Sequence, residues 1–450
     1  ADNIAETVIA DGFRTVEEIC TDDVIAATPQ ENAAALEETC SATPTADTGG
    51  SEIAGPIWVL LPDSATSDRW ENDDRRFFEE AFDAAGLTAG TDYTIVNAEG
   101  DSQTQLNQAE QAINDGASVV LFVEIDSGSG AAIIDTLRSA DVQVINYDRL
   151  TIEGPGADLY VSFDNVQVGR TMAEIMAPVI DDLEGTPRVV MLNGGPEDNN
   201  ATLFRQGYNE TVEARVDAGE WELVADQAVP GWDNQTALTI AEQILVDADN
   251  DVDAIFAAND GLGNSAAVAV ENAGLGSVAI SGQDATAVGM QNLLLGRQLM
   301  SVYKPIKNEA GVAAAAALAL ARGESLDSVT SEFSFESSTI NNGTNDIPFF
   351  ALTPIGVTAD NIAETVIADG FRTVEEICTD DVIAATPQEN AAALEETCSA
   401  TPTADTGGSE IAGPIWVLLP DSATSDRWEN DDRRFFEEAF DAAGLTAGTD

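Results

Sequence analysis

Seven short polar stretches hold the residues best suited to chemistry: Asp68-Arg69-Trp70, Tyr147-Asp148-Arg149, Asp198-Asn199-Asn200, Gly231-Trp232, Asn259-Asp260, Gly282-Gln283-Asp284 and Tyr303-Lys304-Pro305. Together they offer planar amides, carboxylates, fork-shaped guanidiniums and indoles. That mixture suits a neutral polyol. Each hydroxyl of a polyol donates and accepts at once, so Asp and Asn accept from it while Arg and Lys donate to it. Indole faces pack on the C–H patches of a sugar ring. The chain has two lysines, Lys304 and Lys307, and one of them directly follows a strand-like run. Each stretch also has a purely structural reading: Asp148-Arg149 as a buried ion pair, Asn199 as a helix cap, Trp232 as packing under a loop. Their recurrence at strand ends favours a site.

Composition excludes several functions. Eighteen Lys and Arg stand against 81 Asp and Glu with no histidine, a net charge of −63. Nucleic acid and anionic lipid are poor partners for such a surface, because like charges repel and no counterions are released from phosphates. With no histidine and four cysteines, no metal site and no cofactor is expected. Asp247, Asp249, Asp251 and Asp253 alternate as in a calcium loop, but Val252 and Ala258 occupy the positions that need Gly and Glu. A glycosidase needs two facing carboxyls, one protonated. Arg149 and Lys304 are expected to hold Asp148 and Asp284 both ionised, so no enzyme is expected. No apolar run reaches the ~18 residues of a membrane helix, and no signal peptide is visible.

The elements that must position these residues read as α/β. Ile57-Trp58-Val59-Leu60-Leu61 is apolar throughout, as a strand buried on both faces requires. An amphipathic helix over 67–85 follows, then strands at 93–96, 119–123 and 142–147 alternating with helices. After Gly154-Pro155-Gly156 a second alternation runs from a helix at 166–180 to a strand at 278–281. Two doubly wound sheets imply two lobes, with ligands beyond the carboxyl ends of the strands.

Residues 1–92 recur unchanged as residues 359–450, which suggests modules in tandem. The expected organisation is 1–19 as the end of one module, 20–54 as a Cys-bracketed linker, and 55–377 as a complete module. A second linker at 378–412 and the start of a further module at 413–450 follow. Cys20 with Cys40, and Cys378 with Cys398, fit no metal spacing. A disulfide closing a short loop in an oxidising compartment is the expectation, with free thiols or pairing to a neighbour left open.

With those residues in place, the chain from about Gly55 to Glu376 resembles the ribose/galactose-type bacterial sugar-binding proteins that feed ABC importers, and among them the D-xylose-binding kind. The resemblance rests on the stretches above together with Ser162-Phe163-Asp164-Asn165, Ile280-Ser281, Val302-Tyr303-Lys304-Pro305-Ile306 and Asn341-Asn342-Gly343. It implies two Rossmann-like lobes, a periplasmic binding protein type I fold, with one monosaccharide enclosed between them. Three crossover strands are implied near 161–162, 303–304 and 339–342. Lobe 1 would comprise 55–161 and 304–340, and lobe 2 would comprise 162–303 and 341–377. Trp70 and Trp232 would sandwich the ring. Arg69, Asp148, Arg149, Asn200, Asn259, Asp284 and Lys304 would bond its hydroxyls, with Asp198 and Asn199 at the edge.

The linker and the repeat fall outside that family pattern. They lead to the expectation of an extracellular or cell-surface array, a filament or surface layer of neighbouring identical modules, each binding D-xylose or a similar pentose. The alternative is an ordinary periplasmic receptor whose partner is an ABC importer permease.

Overall fold

The apolar run at Ile57 becomes β1 (Ile57–Leu61), with all five residues buried. The computed structural model describes residues 53–64, 67, 69–333 and 337–400. In it β1 lies between the parallel strands β2 (Tyr93–Asn97) and β3 (Val119–Phe122), followed outward by β4 (Gln143–Tyr147) and β5 (Leu159–Phe163). Two later strands, β11 (Ser338–Asn341) and β12 (Asp346–Leu352), complete a seven-stranded sheet ordered β11-β12-β5-β4-β3-β1-β2. Side chains alternate between the two faces of a strand. Ile57, Val59 and Leu61 therefore pack with Phe77, Phe78 and Phe82 of α1 (Arg75–Ala84) and with the alanine-rich α9 (Ile306–Ala321). Trp58 and Leu60 face α2 (Ser102–Asn114) and α3 (Gly130–Ser139). With both faces covered, the strand needs no polar side.

The second lobe has a four-stranded parallel sheet, ordered β7-β6-β8-β9, from β6 (Arg188–Asn193), β7 (Glu222–Ala228), β8 (Ala254–Ala257) and β9 (Ala279–Ile280). Its helices are α4 (Asn165–Asp181), α5 (Asn199–Asp217), α6 (Asn234–Asp247), α7 (Asp260–Asn272) and α8 (Ala287–Leu294). α4 and α5 meet at two glycines. A Cβ at Gly169 would lie 2.0 Å from the Phe204 carbonyl oxygen, and one at Gly207 would lie 2.1 Å from that of Val166.

β5 feeds directly into α4, and β10 (Ser301–Tyr303) pairs antiparallel with β13 (Ile355–Val357). The crossing expected near 339–342 is not there. Those residues form the edge strand β11, and β12 runs parallel to β5, so both belong to the first lobe's sheet. Ile347, Phe349 and Phe350 bury themselves on that sheet, and the chain leaves it only after Leu352. Residues 341–352, expected in lobe 2, thus lie in lobe 1.

The linker expected from residue 378 onward is folded as far as residue 400. Past β13 the chain forms α11 (Val374–Ile377), α12 (Asp380–Ala385) and α13 (Ala391–Ser399), and Cys378 is disulfide-bonded to Cys398 with Cα atoms 5.7 Å apart. Ile362, Val366, Ile367, Phe371, Val382 and Ala393 are buried in the same core as β1 and α9. These apolar side chains have somewhere to go, which a linker's would not. Asn390 Nδ2 donates to the carbonyls of Leu293 and Leu294 at 3.1 and 3.0 Å, which ties this segment to the end of α8. Residues 1–52 and 401–450 lie outside the described residues, and with them Cys20, Cys40 and the expected ends of neighbouring modules. Among the described residues no helix is long and apolar enough to cross a membrane.

Candidate functional site

The carboxyl ends of the strands point the polar stretches into one cleft. Arg69 and Trp70 lead into the helical turn Trp70–Asp74, and Asp148 and Arg149 follow β4. On the other lobe Asp198 caps α5, Trp232 ends the turn Pro230–Trp232, Asn259 caps α7, and Asp284 lies beyond β9. Lys304 follows the crossing strand β10. Ten of the eleven residues expected from the sequence line a single cavity of about 40 Å³, together with Ser67, Phe204 and Gln283. Asn199 stands apart, its backbone N–H donating to Ser127 Oγ at 3.1 Å. Asp68 lies outside the described residues. Ser67 and Gln283 flank expected residues in the sequence, and Phe204 is one helical turn beyond Asn200, so periodicity could have found all three.

Asp148 is the hub. Its Oδ2 accepts from Lys304 Nζ and from Arg69 Nη1, both at 3.1 Å, and its Oδ1 accepts from Asn200 Nδ2 at 3.0 Å. Burial alone would raise this carboxyl. Lys304, Arg69 and Arg149 outweigh that and hold it well below the usual carboxylate range. Arg69 is fixed from behind by two bonds to Asp74, each 2.8 Å, and by Glu309 at 3.4 Å. Tyr147 donates to Asp74 at 2.7 Å. Arg149 pairs with Asp198 at 3.2 Å and donates to the carbonyls of Glu124 and Ile125. Asp74, Glu309 and Glu124 form, with Tyr147, a supporting layer whose three carboxyls the sequence did not reveal. Burial pushes Asp74, Glu309 and Glu124 upward, Glu309 further through the charge of Asp148. Asp284 is also raised, by burial first, with the charges of Lys304 and Arg69 opposing the shift.

Three of these residues adopt left-handed backbone, with φ of 58° at Asp148, 53° at Trp232 and 98° at Asp284. Such conformations cost non-glycine residues free energy and persist where the surroundings enforce them. Asp148 N–H donates to Val161 O and Asp284 N–H to Val302 O, each at 2.9 Å, which anchors two of them to the strands that cross between the lobes.

Both tryptophans line the cavity. Over Trp70 stand the guanidinium carbons of Arg69, 4.2 Å from the ring centre, and Arg149, at 5.6 Å. Trp232 packs edge-on to Phe204 with centroids 6.5 Å apart, over a backbone kept bare by Gly194, where a Cβ would lie 2.1 Å from the indole. Both indole N–H groups are buried and have no hydrogen-bond partner among the described residues. A buried donor left unbonded is costly, so the cavity is short of acceptors that a bound molecule can supply. Among the described residues no cluster of His, Cys, Asp and Glu could hold a metal ion.

Comparison with known proteins agrees with this architecture. The family model described as "Periplasmic binding protein domain" matches once, over residues 58–325. The D-xylose-binding periplasmic protein of Escherichia coli is 35% identical over 316 residues, covering 70% of this chain and 90% of its own length. The protein of the same name from Haemophilus influenzae is 35% identical over 319 residues, covering 71% and 91%. Among solved structures, a carbohydrate transporter solute binding protein from Chloroflexus aurantiacus, in complex with D-glucose, superposes with a TM-score of 0.64 at 27% identity, covering 72% of this chain and 98% of that one. The order of its strands, the cleft between its lobes and these likenesses lead to one conclusion: the chain belongs to the periplasmic binding protein domain family.

Proposed function

We propose that the protein is a sugar receptor of the ABC-importer type, which encloses a neutral monosaccharide, D-xylose or a close relative, between its lobes. The observation that carries this reading is the cavity wall itself. Every cation there is already paired with a carboxylate, so the wall suits a neutral ligand, while two buried indole donors wait for acceptors. Sugar hydroxyls supply such acceptors and can accept hydrogen bonds from Arg69 and Lys304 in addition. The two relatives are named D-xylose-binding periplasmic proteins, which favours a periplasmic site of action and delivery to a permease over the expected filament. The role is binding and release, without covalent chemistry.

A second reading rests on one observation, the unchanged return of residues 1–92 as 359–450: modules joined in tandem in an extracellular filament or surface layer. A denaturing gel separates the two, because covalent tandem modules run far above the mass of one module. For the receptor itself the test is calorimetric titration with D-xylose, L-arabinose, D-ribose, D-glucose and D-galactose, alongside Trp232→Ala. Micromolar or tighter binding that the variant abolishes is expected. No heat with any of the five would sink the receptor reading.

A further inference from the structure

The inner cavity shares part of its wall with a second space. Ser67, Asn259 and Asp284 line it and also line a groove of about 680 Å³ between the lobes. That volume lies within the range of roughly 300–1,000 Å³ usual for small-molecule sites, and it adjoins the position proposed for the sugar.

The groove's chemistry repeats the amides of the pocket. Asn72 on the first lobe and Asn234 on the second face it, and among the described residues neither side chain has a hydrogen-bond partner. Asn264 accepts from Asn292 at 3.2 Å, and its own amide nitrogen donates to nothing described. Asn259 is 9% exposed. Its Oδ1 is taken by the Leu262 N–H at 2.9 Å, which leaves its amide protons for the cleft. Both cations of the groove are paired: Arg372, from the segment following β13, makes two bonds of 3.0 Å to Asp73, and Arg76 lies 3.5 Å from the same carboxylate. Asp260, Asp284 and Glu376 add carboxylates to the lining. Spare amides beside carboxylates, with the cations already paired, fit further sugar hydroxyls better than a phosphate, a peptide's carboxyl terminus or an apolar chain.

We propose that the cleft accepts a short neutral oligosaccharide, with its terminal ring in the inner cavity and the next ring in the groove between Asn72 and Asn234. This rests on the receptor reading above and extends it from a single sugar to a chain. Ser67, Asn259 and Asp284 line both spaces, which places the groove beside the inner cavity. The groove reaches solvent, so the remainder of a chain can leave the cleft there.

The test titrates the full chain with two pairs, D-xylose against xylobiose and D-glucose against cellobiose, and repeats both with the double variant Asn72→Ala/Asn234→Ala. Those two side chains hold nothing in the fold, so the variant leaves the structure intact. The expected result is that one disaccharide binds about tenfold tighter than its monosaccharide, the size of one or two net hydrogen bonds. The variant then loses that gain while monosaccharide affinity stays the same. Monosaccharide binding with weaker or absent disaccharide binding overturns this inference and leaves the receptor reading standing. A disaccharide advantage that survives in the double variant overturns the placement in the groove. Absence of heat from all four sugars removes both the receptor reading and its extension.

Discussion

On the first-lobe wall of the cleft the polar groups are bonded to one another. Arg69 is tied to Asp74, Asp148 and Glu309, and Asp148 is tied to Arg69, Lys304 and Asn200, all within a buried network. On the second-lobe wall the groups sit at helix starts. Asp198 caps α5 and Asn259 caps α7, each spending one oxygen on its own backbone. The first wall is held rigid by charges paired before any ligand arrives. The second keeps donors in reserve, among them the Trp232 indole and the Asn259 amide. A two-lobed receptor gains from that division: one surface is preorganised and fixes orientation, while the other has bonds to make only when the lobes meet a ligand.

Removing the hub should break the contrast most severely. Asp148→Ala leaves Arg69 and Lys304 buried with a lost partner, and truncating one side of a buried pair typically costs about 3–5 kcal/mol. Chemical denaturation should show that loss even without sugar. Asn259→Ala, on the other wall, removes a helix cap and should cost only about 1 kcal/mol of stability while weakening sugar binding by roughly tenfold or more. A large stability loss at Asn259, or none at Asp148, would mean that the two walls do not differ as described. The smallest effect concerns Asp260, a buried carboxyl behind the second wall, bonded to Thr286, Gln298 and Ser301. Burial pushes it up to about 7. A carboxyl raised in the folded state stabilises below its unfolded pKa of roughly 4 and loses that contribution as pH rises through its folded value. The pH dependence of thermal unfolding should therefore include a decline between about pH 4 and 7, which Asp260→Asn flattens. An unchanged slope would remove Asp260 as its source.

Much of this molecule could be read from its sequence, for reasons that differ by region. β1, β3, β6 and β8 are short, largely apolar runs between turn residues, and burial on both faces leaves no other place for such runs. The site residues at strand ends were visible because a core would not tolerate Asp148-Arg149 or Asn259-Asp260 without a purpose. Glu309 was not visible. A lone glutamate in an alanine-rich helix reads as a solvent-facing residue, and only Arg69, 240 positions away in the chain, makes its burial tolerable. The third crossing was misplaced because β11 is mostly exposed and its pairing with β12 is a tertiary fact. The segment after Cys378 was misread because its apolar residues are sparse, and their value depends on the core they meet.

One consequence of Lys304 reaches beyond affinity. The sequence holds two lysines; Lys304 is 3% exposed and pinned to Asp148 inside the cavity, whereas Lys307 is half-buried on α9. Mild reductive methylation with isotopically labelled formaldehyde needs an accessible, unprotonated amine, so it tags Lys307 first and reaches Lys304 only when the cleft opens. Occupancy of the cleft becomes readable as protection of that one side chain, in a background that composition has already cleared.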